Sequence, residues 1–324
     1  MTSSSTVLIL GAGGRLGAAC TKAFAGAGWR VIAQTRKTPT AQWPDGVSAL
    51  VTGDTPIKQF TAKLQKIDVV VHAMNPAYTN AAWTAQVPAM MTLAIEVARS
   101  LNATLMFPGN VYNFGANMPK LLDESTAQHP TTVKGKLRVD VESALRQATQ
   151  TAGLRAVVVR AGDFFGSGSG SMFDQVSVSK IKKGTFTHSG PLDVATPWAY
   201  LPDLAQTFVA VAKQRQQLAK FEELHFAGHN VSGRDWLGAL QPLATANHWV
   251  ADGQALETAA LPWPVMRVIA LFNPTLASLA EMRYLQSTPH ALDNTRLRKL
   301  IGTEPHTPLA TAAASALGAL GFTT

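Results

Sequence analysis

Residues 11–17, Gly-Ala-Gly-Gly-Arg-Leu-Gly, set Gly11, Gly14 and Gly17 three apart immediately behind the apolar run Val7-Leu-Ile-Leu10. A buried strand that passes at once into a helix needs a tight turn at Gly11, backbone open to a pyrophosphate at Gly14 and close helix packing at Gly17. The phosphates then meet the free N–H groups and the positive dipole end of the helix opening at Arg15 and Leu16. The segment reads as a dinucleotide site. The end of the next strand selects the dinucleotide: an acid there would bind ribose hydroxyls, whereas this chain has Thr35 followed by Arg36 and Lys37. Those charges suit a 2′-phosphate. NADP(H) is therefore expected in preference to NAD(H), with Thr35 and Arg36 among the contacts.

The elements that must hold this turn follow in order. Residues 18–27 predict a helix and 28–35 a second strand, which together make one βαβ unit. Residues 48–51, 68–73, 104–107 and 156–160 predict further strands, and an amphipathic helix of about ten residues is expected before the second of these. From Ala227 the alternation fades, helical stretches appear over 233–246 and 264–285, and residues 308–321 read as an Ala/Leu helix packed on the core. The expected class is α/β: a Rossmann doubly wound parallel sheet over 1–230, with part of a substrate lobe inserted near 166–197. Residues 231–324 would then form most of a small C-terminal substrate lobe.

Composition limits the function classes. Of 324 residues 46% are hydrophobic, enough for a substantial core. The net charge of +8 comes from dispersed Lys and Arg not interleaved with aromatics, so a small-molecule substrate is expected and nucleic acid is not. The single cysteine, Cys20, excludes an intramolecular disulfide and points to a reducing compartment. The first residues lack a basic secretory region and the Val7–Leu10 run is far too short to serve as a signal or to span a membrane, so a cytoplasmic protein with no membrane partner is expected. Among the histidines only His225 and His229 have ligand-pair spacing, and they straddle a strand boundary; no metal site is expected.

An ordered series of motifs then resembles the extended and atypical short-chain dehydrogenase/reductases, the NAD-dependent epimerase/dehydratase-like group. The G-x-x-G-x-x-G spacing is theirs. Residues 108–115, Pro-Gly-Asn-Val-Tyr-Asn-Phe-Gly, resemble their S-S-x-x-V-Y-G segment, and Arg160 through Gly166 resembles R-x-x-x-x-Y/F-G. Trp198 through Ala205 resembles Y-V-x-D-L-A, where the Asp, here Asp203, usually caps a helix. Asn75-Pro-Ala-Tyr78-Thr79 with Trp83, and Glu281-Met-Arg-Tyr284 followed by Leu292-Asp293, match an atypical subgroup. The resemblance implies that Asp54 lies near the adenine, that Ala73, Met74 and Asn75 run along the cofactor, and that His72 packs and hydrogen-bonds. It also implies dimers built through the helix carrying residues 134–138; monomer and homodimer both stay open.

The catalytic positions depart from that pattern. These enzymes use a tyrosine as general acid/base and a lysine four residues on that lowers its pKa and holds the nicotinamide ribose. The matching stretch is Lys134-Gly-Lys-Leu-Arg138, with lysine for tyrosine and arginine for lysine, and the usual serine falls near Pro108. Two readings follow. In one, Arg138 clamps the cofactor while Lys134, Tyr112 and Asn110 form a rearranged site in an oxidoreductase or epimerase/dehydratase-like enzyme acting on a small carbonyl or hydroxyl substrate. In the other, the protein is a non-catalytic, NmrA-like dinucleotide sensor. Tyr78, Trp83, Phe164 and Tyr284 are candidate substrate contacts.

Overall fold

Strand β1 (Thr6–Leu10) is buried on both sides, Val7 and Ile9 toward one layer of helices and Leu8 and Leu10 toward the other. Burial on both faces is why the sequence there is an unbroken apolar run. The computed structural model describes residues 4–38, 43–55, 57–64 and 66–322. Its first half runs α1 (Arg15–Gly26), β2 (Arg30–Thr35), β3 (Val47–Val51), α2 (Lys58–Thr61), β4 (Val69–His72), α3 (Asn80–Ser100) and β5 (Thr104–Gly109). The chain continues through β6 (Leu121–Leu122), α4 (Val133–Thr151), β7 (Arg155–Arg160), β8 (Asp163–Phe165), β9 (Thr185–His188), β10 (Thr196–Tyr200), α5 (Leu201–Lys213) and β11 (Phe221–His225). Last come β12 (His229–Val231), α6 (Gly233–Ala246), β13 (Glu257–Ala260), α7 (Trp263–Ala270), α8 (Pro274–Glu281), β14 (Ala291–Leu292), α9 (Thr295–Ile301) and α10 (Leu309–Ala319).

Seven strands form one parallel sheet in the order β11-β7-β5-β4-β1-β2-β3. The order reverses between β1 and β4, which makes the sheet doubly wound and opens a crevice at the strands' C-terminal ends. Leu16, Cys20 and Phe24 of α1 pack with Leu204 and Phe208 of α5 on one face. Trp83, Val87 and Met91 of α3 pack with Val141 and Leu145 of α4 on the other. Two smaller clusters lie beyond the sheet, one around Phe165, Trp198 and Trp236, the other around Phe114, Leu122, Met282 and Tyr284.

Four elements differ from the sequence expectation, each for a local reason. The helix expected before β4 is the single turn α2, with residues 56 and 65 outside the described range. The helix expected over 264–285 is two, because the Asn273 side chain accepts from the N–H groups of Thr275 and Leu276 and Pro274 opens a new helix. The final helix, α10, lies against the lobe helix α6 and not against the sheet: Ala312, Ala313 and Ala316 let it approach Trp236 and Leu240, and Ser315 accepts from the Tyr200 hydroxyl at 2.8 Å. Asp203 does not cap its own helix; its carboxylate accepts from the backbone N–H and hydroxyl of Thr307 and pins the segment leading to α10.

The seventh strand, β11, was not legible, since Phe-Glu-Glu-Leu-His carries three polar residues in five. They are tolerated because they are paired. The Arg160 guanidinium, fully buried, donates to Glu142 at 2.7 Å and to Glu223 through Nε at 3.1 Å and through Nη2, and it donates to the Asn110 carbonyl at 2.5 Å. Glu222 pairs with Arg296, and His225 Nδ1 lies 3.1 Å from the Leu122 carbonyl. Burial works against the Glu223 charge, but His225 and Arg160 outweigh it and hold its carboxyl at about 2 against an ordinary 4.5.

A depressed carboxyl stabilises the fold fully above its ordinary pKa and loses that contribution as pH falls through the folded value. Glu223→Gln strips Arg160 of one carboxylate and is expected to cost about 3–5 kcal/mol at neutral pH. Denaturant midpoints measured down the pH scale should show the gap to wild type closing as pH approaches about 2.

Candidate nucleotide turn and active site

At the end of β1 the chain turns at Gly11, whose φ of +79° and distance to the next loop both require glycine: an added Cβ would sit 2.9 Å from Met74 N. Gly17 is required by packing, because a Cβ there would come within 2.2 Å of the Gly11 carbonyl oxygen. Gly14 is different. Its φ of −80° suits any residue, and an added Cβ meets no protein atom closer than 3.4 Å. Nothing in the protein requires Gly14 to lack a side chain, so the space beside it is room for something else. No side chain caps the helix that begins there and its first turn holds no acid, which leaves donors for an anion.

Around this turn the expected cofactor residues take varied positions. Thr35 is buried with its hydroxyl unpartnered, and Gln34 beside it accepts from Gly11 N at 3.0 Å. Arg36 and Asp54 are exposed at the ends of β2 and β3. Arg15 donates to the Gly166 carbonyl at 2.7 Å, tying α1 to the loop after β8. Leu16 is core. Ala73 and Met74 are half-buried behind the turn, and Asn75 is exposed. The His72 ring is held neutral by burial and by Arg138, with its pKa lowered to about 3, and its Nδ1 accepts from Met74 N at 3.3 Å, fixing that loop. A narrow crevice follows, lined by His72, Met74, Asn75, Met90, Phe107 and Arg138.

Arg138 donates to the Pro108 carbonyl at 3.0 Å, and its guanidinium lies 5.2 Å over Trp83 and 5.0 Å over Phe107. Lys134, one turn earlier, points elsewhere. Its ammonium is fully buried, donates to Asn80 Oδ1 at 2.5 Å, and sits 4.6 Å over the Tyr78 ring. Burial lowers its pKa to about 8 against the opposing charge of Glu281. Glu281 accepts from Asn80 Nδ2 at 2.7 Å and from Val133 N at 3.0 Å, so a lobe carboxylate is joined to Lys134 through one amide.

Tyr112 lies in the helical turn Val111–Phe114 and donates its backbone N–H to the Asn110 side chain at 3.1 Å. Asn110 thus positions Tyr112, and its own carbonyl is fixed by Arg160. The Tyr112 and Tyr78 hydroxyls are 3.2 Å apart. Burial and the nearby Asp163 carboxylate push Tyr112 up to about 12, with Tyr78 and Arg138 pulling the other way. Trp83 packs at the back of this pair as core, Tyr284 is buried facing it from the lobe, and Phe164 is half-buried against the sheet cluster.

Sequence reasoning passed over Asp163, Asn80 and Gln286, whereas Glu281 was weighed as a cleft residue with Tyr284. Asp163 follows β7 and is half-buried, its charge acts on Tyr78, Tyr112 and Tyr284, and Gln286 donates to its Oδ2. Burial raises its pKa to about 6 although Gln286 works against the rise. The signal that was present is an acid three residues beyond the end of an apolar strand, where doubly wound sheets bind ligands.

The model of the NAD dependent epimerase/dehydratase family matches residues 7–226. Among solved structures the chain resembles UDP-glucose 4-epimerase from Brucella ovis in complex with NAD, at 15% identity over 98% of each chain with a TM-score of 0.73. It resembles the UDP-Glc/GlcNAc 4-epimerase from Campylobacter jejuni at 13% identity, over 98% of this chain and 99% of that one, with a TM-score of 0.72. The UDP-N-acetylglucosamine 4-epimerase from Bacillus cereus matches at 12% identity, over 95% and 96% of the two chains, with a TM-score of 0.70. At such identities the likeness is one of fold. A comparison with curated protein sequences finds no match.

The two glycines are separable by experiment. Gly17→Ala forces a Cβ onto a carbonyl oxygen and is expected to cost at least about 1–3 kcal/mol, whereas Gly14→Ala should leave the melting temperature within error of wild type. Thermal unfolding of both variants checks this.

Proposed function

The chain belongs to the NAD dependent epimerase/dehydratase family, and we propose that within it this protein is a dinucleotide-dependent enzyme acting on a small hydroxyl- or carbonyl-bearing substrate through a rearranged proton site. The observation that carries this is the clustering of Tyr112, Tyr78, Asp163 and Arg138, with Arg138 also lining the crevice at Met74 and Asn75, the loop that packs on Gly11. In the proposed complex the pyrophosphate rests on the N–H groups opening α1, with Gly14 giving clearance. Thr35 and Arg36 bind the adenosine ribose and its 2′-phosphate, Asp54 lies near the adenine, and Ala73 to Asn75 with Arg138 flank the nicotinamide ribose. A bound nicotinamide supplies hydride uptake and return.

The chain's own part is to hold the reacting hydroxyl and move its proton. Tyr112 donates or accepts at that oxygen, Arg138 supplies the positive charge that the absent lysine of the usual pair would supply, and Asp163 receives the proton. Lys134 acts through its charge: held by Asn80 and Glu281, it keeps Tyr78 in place against Tyr112. Asn110 positions Tyr112 from behind. Trp83, Phe164 and Tyr284 shape the walls.

Nucleotide titration tests the cofactor half. NADPH is expected to bind more tightly than NADH. Arg36→Ala should weaken NADPH about tenfold, the cost of one charge-assisted bond, and leave NADH unchanged; Gly14→Ala should weaken both. Equal weakening of the two nucleotides by Arg36→Ala would remove the 2′-phosphate assignment.

Turnover tests the proton half. With a hydroxyl substrate the oxidation rate should rise with pH through about 6 as Asp163 loses its proton. Asp163→Asn should lower the rate about 100- to 10,000-fold and abolish that limb, with nucleotide affinity unchanged. A retained limb in the variant would assign the proton elsewhere.

A further inference from the structure

The hairpin of α7 and α8 exposes an apolar surface that the proposed chemistry does not use. Every residue of α7 is at least partly exposed, and its outer side together with the turn after it presents Val265, Val268, Ile269, Leu271 and Phe272, the last two 78% and 87% exposed. Large contiguous apolar surface of this kind marks a docking site.

Its charge says what kind. Between Glu257 and Glu281 the sequence holds a single ionisable residue, Arg267, on the exposed side of α7. Glu281 is already engaged by Asn80 and the Val133 N–H. At the base of the hairpin Trp263 donates its indole N–H to the Ser189 carbonyl at 2.7 Å, with the Arg283 guanidinium 5.9 Å over its ring. The patch is therefore apolar at its tip, flanked by two cations and an aromatic ring, with no carboxylate in residues 258–280, on a chain of net charge +8. A second copy of the chain would bring the same unneutralised Arg267 to a shared interface. Phosphate headgroups would pair it while the acyl region takes Leu271 and Phe272, the two signals that stable interfacial binding needs. Among the described residues no helix is long and apolar enough to cross a membrane, and an eight-residue helix lying in the surface does not have to.

We propose that residues 263–272 dock this protein on an anionic lipid surface, with Leu271 and Phe272 inserted and Arg267 at the headgroups. This departs from the sequence expectation of no membrane partner, which tested only for a span. It stands apart from the catalytic assignment, although α8 connects the docked helix to Ser278 and Glu281, both bonded to Asn80 beside Lys134.

The test is sedimentation of the full chain with vesicles of phosphatidylcholine alone and of phosphatidylcholine with phosphatidylglycerol at about 2:1. The wild type is expected to pellet with the anionic vesicles. The double variant Leu271→Ser, Phe272→Ser, whose side chains are exposed, should keep its melting temperature and lose at least about tenfold in partitioning. Arg267→Gln should weaken binding to the anionic vesicles only. Wild type left in the supernatant with both vesicles would overturn the proposal, as would pelleting unchanged in the double variant. A wild-type dimer in sedimentation velocity that the double variant dissociates, without lipid binding, would assign the patch to a second copy instead.

Discussion

A single guanidinium, that of Arg160, holds together the end of the sheet from which the site is built. It is fully buried at the last residue of β7 and is satisfied from three directions: Glu223 on the edge strand β11, Glu142 on α4, and the carbonyl of Asn110 just past β5. Removing such a charge from water is costly unless every donor finds an acceptor, so the three elements are fixed to one another wherever the protein is folded. Asn110 lies in that constraint through its carbonyl and passes it on through its side chain, which starts the turn carrying Tyr112. The position of the Tyr112 hydroxyl is thus set by a network on the far side of the backbone.

The lobe completes the site with one short run. Ser278 and Glu281 reach Asn80, Tyr284 belongs to the cluster on which Tyr78 and Tyr112 pack, and Gln286 holds Asp163. These residues come from the end of α8 and the helical turn after it, whose Met282 and Leu285 are packed with Phe114 and Leu122. Burial of that run and assembly of the polar site are one event, which explains why a stretch so rich in polar groups folds against the core.

What the sequence revealed follows from how locally each feature is determined. The glycine turn, the first four strands and α6 were legible because apolar periodicity and turn chemistry are local properties. The strand β11 was hidden because its Glu and His residues make sense only beside Arg160, which lies 63 residues away for Glu223. The break before Pro274 was missed because the apolar pattern of α7 continues in α8, while the cap that separates them is one asparagine. At the candidate site, motif position singled out Arg138, Tyr112 and the 73–75 loop as candidates. The partners of Lys134 were not, since Asn80 and Glu281 lie 201 residues apart and meet only in the folded chain.

In the proposed mechanism, lysine and arginine at the α4 positions move proton handling off that helix. Lys134 occupies the tyrosine's place but is drawn into the gap between α3 and α8, where Asn80 and Glu281 satisfy it and the rings of Tyr78 and Trp83 cover it. An ammonium so engaged is poorly placed to shuttle a proton to a ligand in the cleft. The Arg138 charge lowers the pKa of the neighbouring Tyr112 phenol, the effect on which its role in the proposal rests. The remaining groups lie off the helix: Tyr112 three residues past β5 and Asp163 at the start of β8. With Tyr112 held near 12 and Asp163 near 6, the pair spans neutral pH, one protonated and one ionised. That is the arrangement in which one group gives a proton and the other takes it, and it requires no titratable group on the helix.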